Sequence, residues 1–95
     1  MKVSFDFDGT LNTKKGVELA KMEIANGNTI YIISARSNKS SMILLATRLS
    51  IPSTRVFATG SNKEKVNKVN SLGIERHYDN NPDVINALGN KGKLV

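Results

Sequence analysis

The sequence alternates between strand-like and helix-like hydrophobic patterns along its whole length, and this alternation limits the fold more than any other feature. Apolar runs predict strands at residues 2–7, 29–34, 55–58 and 74–78, with an edge strand at 93–95. Helical patterns fall between them, at residues 14–26, 38–50, 61–73 and 81–88. Such alternation favours a parallel sheet with right-handed crossovers and helices on both faces. We therefore predict a Rossmann-like three-layer α/β sandwich whose central parallel sheet has four or five strands.

Two helix starts carry local signals of their own. The segment Ser-Asn-Lys-Glu at residues 61–64 has the form of a capping box, in which Ser61 accepts a hydrogen bond from the backbone of residue 64 and the Glu64 side chain reaches back toward Ser61. Asn81 followed by Pro82 has the order of an N-cap residue and a first helical position. Both signals support the predicted starts of the third and fourth helices.

The composition sets the size and the general class of the protein. The 95 residues are enough for a single domain, predicted over residues 1–95. The formal net charge of +6 favours phosphorylated or polyanionic partners, including non-specific contact with nucleic acid through a basic surface. The chain has no cysteine, which excludes disulfides and cysteine-ligated metals. Apolar runs such as residues 30–33 are too short for a membrane span, so we expect a cytoplasmic protein with no membrane partner.

All four aspartates fall on two short stretches, and each stretch follows a predicted strand. Asp6 and Asp8 come at the end of the first strand, and Asp79 and Asp83 follow the fourth. In open parallel sheets, ligands bind beyond the carboxyl ends of the strands. If these strands are neighbours, converging carboxylates would destabilise the fold unless a cation compensates them. A hard divalent ion such as Mg²⁺ prefers oxygen ligands, and His77 is the only histidine, so Mg²⁺ is the predicted cofactor.

Polar residues also follow the other predicted strands. Ser34 closes the second strand and Arg36 follows it, while Lys63 and Lys65 lie at the start of the third helix. Phosphoryl transfer needs such groups, because its transition state spreads negative charge that cations and hydroxyl donors stabilise. A carboxylate can also act as the nucleophile and divide the displacement into two easier steps. The predicted site is therefore suited to phosphoryl chemistry.

These motifs resemble the haloacid dehalogenase superfamily of phosphatases, in the order of that family and over residues 3–88. Asp-Phe-Asp-Gly-Thr-Leu at residues 6–11 is similar to its first motif, which implies Asp6 as nucleophile and Asp8 as general acid and base. Ser34 matches the second motif and implies phosphate binding. A lysine of Asn-Lys-Glu-Lys, Lys63 or Lys65, matches the third. Tyr-Asp-Asn-Asn-Pro-Asp at residues 78–83 is similar to the fourth, which implies Asp79 and Asp83 as Mg²⁺ ligands beside Asp6 and Asp8.

The sequence departs from the family pattern in two places. Many relatives carry a second aspartate where Asn80 stands, which affects the implied ligand set. The segments in which relatives insert a cap domain, residues 9–28 and 58–62, are too short to hold one. The resemblance therefore implies a core without a cap, and within the family such members act on macromolecules or use a neighbouring subunit as a lid.

The expected function is that of a Mg²⁺-dependent phosphomonoester phosphatase with an aspartyl-phosphate intermediate. Its expected substrate is a phosphorylated small molecule, a nucleotide or a nucleic-acid end, and a homo-oligomer is one way to cover the open site. The alternative is a non-catalytic module on the same fold that binds Mg²⁺ and phosphate or nucleic acid. Some of these residues also have a purely structural interpretation. Lys63 or Lys65 would then lie on a solvated helix face, Arg36 would be a surface residue and His77 an ordinary strand residue.

Overall fold

A computed structural model describes all 95 residues and shows a five-stranded sheet in which every neighbouring pair of strands is parallel. The strands are β1 (Lys2–Phe5), β2 (Thr29–Ser34), β3 (Val56–Ala58), β4 (Arg76–Asp79) and β5 (Gly92–Leu94). The α-helices are α1 (Lys14–Ala25), α2 (Ser40–Arg48), α3 (Asn62–Ser71) and α4 (Pro82–Leu88), and short 3₁₀ turns span Ser53–Arg55 and Gly89–Lys91. The predicted parallel α/β sheet, including its edge strand, is confirmed.

Helices cover the sheet on both faces, because successive residues of a buried strand point to opposite sides. Ile30 and Ile32 of β2 belong to a core cluster that also contains residues of α1 and α2, such as Ala20 and Met42. Ile33, the next residue after Ile32, points to the opposite face and belongs to a second cluster with residues of α3 and α4. The result is a three-layer arrangement, consistent with a Rossmann-like sandwich. No helix has the length and apolar character that a membrane span requires.

The strand order β3-β2-β1-β4-β5 reverses direction at β1. The chain builds outward from β1 through β2 to β3, returns through α3, and then adds β4 on the other side of β1. The loops that follow β1 and β4 therefore lead to helices on opposite faces of the sheet. A crevice opens between such loops, and this is where α/β sheets of this kind bind ligands.

The first strand is shorter than predicted. It ends at Phe5, although the backbone N–H of Asp6 still donates to the carbonyl of Tyr78 at 2.9 Å. The chain then turns sharply through Gly9, whose φ is +73°, and the N–H of Leu11 returns to the carbonyl of Asp6. Phe7 is buried because this loop folds back onto the core, and not because it continues the strand. Asp6 and Asp8 therefore lie on a loop at the carboxyl end of β1.

The other boundaries differ from the predictions by one or two residues. α2 spans Ser40–Arg48 instead of residues 38–50, and β4 starts at Arg76 instead of residue 74. Both predicted helix starts are confirmed: the Ser61 hydroxyl accepts from the N–H of Glu64 at 3.1 Å, and Asn81 caps α4 with Pro82 in its first turn. The return contact from the Glu64 side chain to Ser61 is not formed, since that carboxylate accepts from Asn67 instead.

Candidate functional site

A polar cavity of about 280 Å³ lies at the carboxyl ends of β1, β2 and β4, where the strand order reverses. Three acidic residues, one lysine and several amide or hydroxyl side chains line it: Asp6, Asp8, Ser34, Asn62, Lys65, Asp79, Asn80 and Asn81, with Ala35. A larger cavity of about 410 Å³ lies beside the end of α2, but no charged side chain lines it. The smaller cavity is therefore the candidate site.

Lys65 joins the two buried aspartates of the cavity. Its Nζ lies 3.0 Å from Oδ1 of Asp6 and 2.9 Å from Oδ2 of Asp79. All three side chains are almost fully buried, with exposed fractions of 3% for Lys65, 7% for Asp6 and 0% for Asp79. Buried charges of opposite sign need close pairing, because their separate desolvation is costly. The structure thus brings together carboxylates that are 73 positions apart in the sequence numbering.

The two buried carboxyl groups have opposite pKa shifts. Burial, reinforced by the neighbouring Asp79 carboxylate, raises the pKa of Asp6 above its ordinary value despite the opposing effect of Lys65. Burial also acts to raise the pKa of Asp79, but hydrogen bonds from His77 and Lys65 outweigh it and leave that pKa lowered. Asp79 is thus the stabilised anion of the pair, while Lys65 compensates the charge of ionised Asp6 only in part.

Asp8 lies at the exposed rim of the cavity and is held by Arg36. The guanidinium donates through Nε and Nη2 to the two carboxylate oxygens of Asp8, both at 2.7 Å. This bidentate pair is about half exposed, and the hydrogen bond from Arg36 holds the pKa of Asp8 below its ordinary value. Arg36 also donates from Nη1 to Ser41 and lies 5.4 Å from the centre of the Phe7 ring. Arg36 is therefore a residue of the site, although its place after β2 in the sequence is equally typical of a surface arginine.

Ser34 and Lys65 are the two predicted phosphate-binding residues that reach the cavity. Ser34 is buried at the end of β2, where its Oγ accepts from the backbone N–H of Arg36 at 3.1 Å. Its own hydroxyl hydrogen remains available to a ligand. Lys63 is exposed and lines a different cavity, which it shares with Asp83. The structure does not bring Lys63 or Asp83 to the site, so neither predicted role gains support from position.

A buried histidine, which sequence reasoning set aside as a strand residue, lies directly beneath Asp79. His77 Nε2 is 2.9 Å from Oδ2 of Asp79, and its Nδ1 is 2.6 Å from the hydroxyl of Ser4. His77 and Asp79 are two apart on β4 and therefore share a face of the sheet. The two-residue spacing is the feature of the sequence that could indicate the contact between His77 and Asp79. The position of Ser4 opposite His77 follows only from the register of β1 and β4.

Asn80 connects the loops that follow β1 and β4. With its amide nitrogen turned toward the site, it donates at 3.3 Å to the backbone carbonyl of Asp8 and to Oδ2 of Asp6. A Cβ on Gly9 would collide with this amide, and the φ of +73° also favours glycine, so a larger residue at position 9 would require Asn80 to shift. The close approach fixes the backbone that positions Asp6 and Asp8.

The residues present fit a magnesium ion, although no group of three or more His, Cys, Asp or Glu side chains is arranged to hold a metal. The buried charges of Asp6, Asp79 and Lys65 sum to −1, so the net charge of the cluster favours the binding of a cation. Oδ2 of Asp6 and the carbonyl oxygen of Asp8 each lie 3.3 Å from the same amide nitrogen of Asn80, so two oxygen atoms of the type that Mg²⁺ prefers lie on the same side of the cavity. Mg²⁺ commonly completes its shell with water and phosphate oxygens.

Comparison of the chain with family models, with curated proteins and with solved structures gives no match. The assignment of a function therefore depends on the geometry of the site and on its chemistry.

Proposed function

We propose that this protein is a Mg²⁺-dependent phosphomonoester phosphatase of the haloacid dehalogenase type, with a core that has no cap domain. The observation that carries the proposal is the buried Asp6–Lys65–Asp79 cluster at the point where the strand order reverses. A carboxylate with incomplete charge compensation, next to a lysine and an open polar cavity, is suited to accept a phosphoryl group and a divalent cation together.

Asp6 acts as the nucleophile in this proposal. One of its carboxylate oxygens forms a bond to phosphorus, the bond from phosphorus to the leaving oxygen breaks, and that oxygen takes a proton from Asp8. Water then attacks the same phosphorus and gives a proton to Asp8, and the bond to Asp6 breaks to release phosphate. Asp8 serves as the acid only when Arg36 has released it, because the present pair holds Asp8 ionised.

Lys65 and Ser34 stabilise the charge that develops on the phosphoryl group. An ammonium has three donors, and two of those on Lys65 already go to Asp6 and Asp79, which leaves one for a phosphoryl oxygen. The Ser34 hydroxyl hydrogen supplies a second donor from the end of β2. Mg²⁺, held by Asp6, the carbonyl of Asp8 and Asp79, would neutralise phosphoryl charge. These groups supply the electrostatic stabilisation that dominates phosphoryl transfer.

The open site and the positive charge of the chain favour nucleotides or nucleic-acid ends as substrates. The cavity is lined by residues at the carboxyl ends of the strands and at the start of α3, and the formal charge of +6 attracts polyanions. Dephosphorylation of a 3′-phosphorylated oligonucleotide should then weaken steeply with salt, because binding releases counterions. A salt-independent rate on the oligonucleotide would argue for a small-molecule substrate and would leave the phosphatase proposal intact.

The deciding experiment measures release of phosphate from an aryl phosphate. Wild-type protein should be active with Mg²⁺, inactive with EDTA and active again when Mg²⁺ is restored. Asp6→Asn should lower kcat by at least about 10³-fold because it removes the nucleophile. Asp83→Asn is the matched control, since Asp83 lies outside the cavity, and should retain activity. Unchanged turnover in Asp6→Asn would refute the nucleophile assignment.

One observation favours a second function, a non-catalytic module that binds Mg²⁺ and phosphate. Both oxygens of Asp8 are occupied by Arg36, which leaves the proposed acid unavailable in this conformation. Beryllofluoride, which mimics a phosphoryl group on an aspartate, should bind in either case. Binding of beryllofluoride with Mg²⁺, without turnover of any phosphate ester in a screen, would select the binding module over the phosphatase.

A further inference from the structure

His77 is the most deeply enclosed polar side chain that contacts the site without lining its cavity. Its exposed fraction is 0%, and both ring nitrogens have partners within hydrogen-bonding distance. A buried histidine in a strand is commonly a core residue, but here Nε2 is aimed at Oδ2 of Asp79, the oxygen that also receives Lys65. The ring is therefore hydrogen-bonded to Asp79, the carboxylate that the proposed function assigns to Mg²⁺ binding.

The hydrogen-bonding partners determine which ring nitrogen carries the proton. An ionised carboxylate only accepts hydrogen bonds, so the 2.9 Å contact between Nε2 and Asp79 requires a hydrogen on Nε2. In the neutral ring Nδ1 is then an acceptor, and the Ser4 hydroxyl donates to it at 2.6 Å. Ser4 lies directly opposite His77 in the register of β1 and β4, and both side chains are fully buried. The orientation of the ring is thus fixed from the neighbouring strand.

Asp79 accepts three hydrogen bonds in this arrangement. Oδ2 receives Lys65 and His77, and Oδ1 receives the backbone N–H of Asn81 at 3.0 Å. A carboxylate has about four acceptor positions, so Oδ1 keeps one position for a ligand. Without His77, Oδ2 would be held only by the flexible Lys65 side chain, and the carboxylate could turn more freely about its Cβ–Cγ bond around the Asn81 contact to Oδ1.

We propose that His77 is a positioning residue that, fixed by Ser4, holds the Asp79 carboxylate so that Oδ1 faces the metal position of the site. The inference rests on the proposed function. Residues that hydrogen-bond to a metal ligand orient it, and their replacement commonly costs about 10- to 100-fold in metal affinity or activity. His77 itself touches neither substrate nor metal.

A matched pair of variants tests this role. In His77→Gln the side-chain amide nitrogen reaches the place of Nε2 and can donate to Asp79. In His77→Asn the amide is one methylene shorter, so it can contact Ser4 but not Asp79. Tyr78→Phe is the control, because it removes a buried hydrogen bond to Glu23 on the next residue of β4 and leaves Asp79 untouched.

Three measurements are made on the full chain: Mg²⁺ affinity by calorimetry without substrate, kcat and KM on an aryl phosphate, and the imidazole tautomer by ¹⁵N NMR. We expect a proton on Nε2 in the wild type. We expect His77→Asn to weaken Mg²⁺ binding by about 10- to 100-fold and to lower kcat with little change in KM. His77→Gln and Tyr78→Phe should stay close to the wild type.

Each outcome bears on the inference. A proton on Nδ1 alone, or equal Mg²⁺ affinity and kcat in the Asn and Gln variants, would overturn the positioning role and leave the phosphatase intact. Mg²⁺ binding without turnover in the wild type would refute the phosphatase, and the Asn and Gln affinities would still decide the role of His77. If wild-type protein neither binds Mg²⁺ nor turns over substrate, both proposals fall. If His77→Asn does not fold, the tautomer of the wild type decides.

Discussion

The buried lysine gives the strongest prediction about stability. Lys65→Met keeps most of the volume of the side chain but removes the charge that Asp6 and Asp79 share. Removal of one partner from a buried ion pair typically destabilises a protein by about 3–5 kcal/mol, because the remaining charge has no partner. Since a domain of this size is usually stable by about 5–15 kcal/mol, we expect the variant to lose about a fifth or more of its stability at pH 7.

This loss should depend on pH in a definite direction. The pKa of Asp79 is lowered in the fold, so its contribution to stability is present above its ordinary value of 3.8 and is lost as the pH falls. The pKa of Asp6 is raised, so ionised Asp6 already costs stability above 3.8, and protonation relieves that cost. In Lys65→Met both carboxyl groups take up protons more readily. The difference from the wild type should therefore shrink between about pH 7 and pH 4.

Urea unfolding followed by far-UV circular dichroism, in EDTA, measures this difference. With a slope of about 1.5 kcal/mol/M, the expected loss moves the midpoint down by about 2 to 3 M. Lys63→Met is the control on the same helix, because Lys63 is exposed, and it should stay within about 0.5 kcal/mol of the wild type. Equal midpoints for Lys65→Met and the wild type at pH 7, or the same deficit at pH 7 and pH 4, would refute the reasoning.

Three further variants test other parts of the structure by the same unfolding measurement. Gly9→Ala should cost about 1–3 kcal/mol, because φ is +73° and the new Cβ would collide with Asn80; an unchanged midpoint would contradict this. Thr10→Val should gain about 1 kcal/mol, since the buried Thr10 hydroxyl has no partner, and a loss of that size would count against it. Glu23→Gln should lower the free energy of unfolding by about 1–3 kcal/mol at pH 7, and this loss should become smaller below pH 4.5. A loss that is the same at both pH values would show that the charge of Glu23 is not its cause.

The contacts of Glu23 explain why the stability loss of Glu23→Gln should depend on pH. Burial acts to raise its pKa, but hydrogen bonds from Arg76, Tyr78 and Asn28 outweigh that effect and leave the pKa lowered. A carboxylate with a lowered pKa contributes stability above its ordinary value, and the contribution disappears as the pH falls through the folded-state pKa. This cluster joins α1 to β4 on the sheet face away from His77, so it reports on the fold and not on the site.

Much of the architecture followed from patterns that are local in the sequence. The alternation of strand and helix periods predicted the parallel sheet, and the capping residues Ser61 and Asn81 located two helix starts. Asp6 and Asp79 were predicted to meet because both follow strands, and polar residues beyond strand ends collect at one edge of a parallel sheet. Each of these inferences needs only the neighbours of a residue and the geometry of its own element.

The contacts that give the site its charge balance required the assembled fold. Lys63 and Lys65 are the second and fourth residues of α3 and lie about 200° apart around the helix. Lys65 shares the buried face of α3 with Val69, and this packing turns Lys65 toward the aspartates. The Arg36–Asp8 pair joins two loops, and its formation depends on how β2 lies beside β1. Sequence patterns could not supply these distances.

Local patterns in the chain were sufficient to predict that acidic, hydroxyl and cationic residues follow the strands of a parallel sheet. Which of these residues touch could not be predicted in that way, because a contact depends on strand order and register. Ser4 meets His77 through the pairing of β1 with β4, and that pairing places the buried ring under Asp79. Local sequence fixes the face on which a side chain lies, whereas the packing of distant segments chooses its partner.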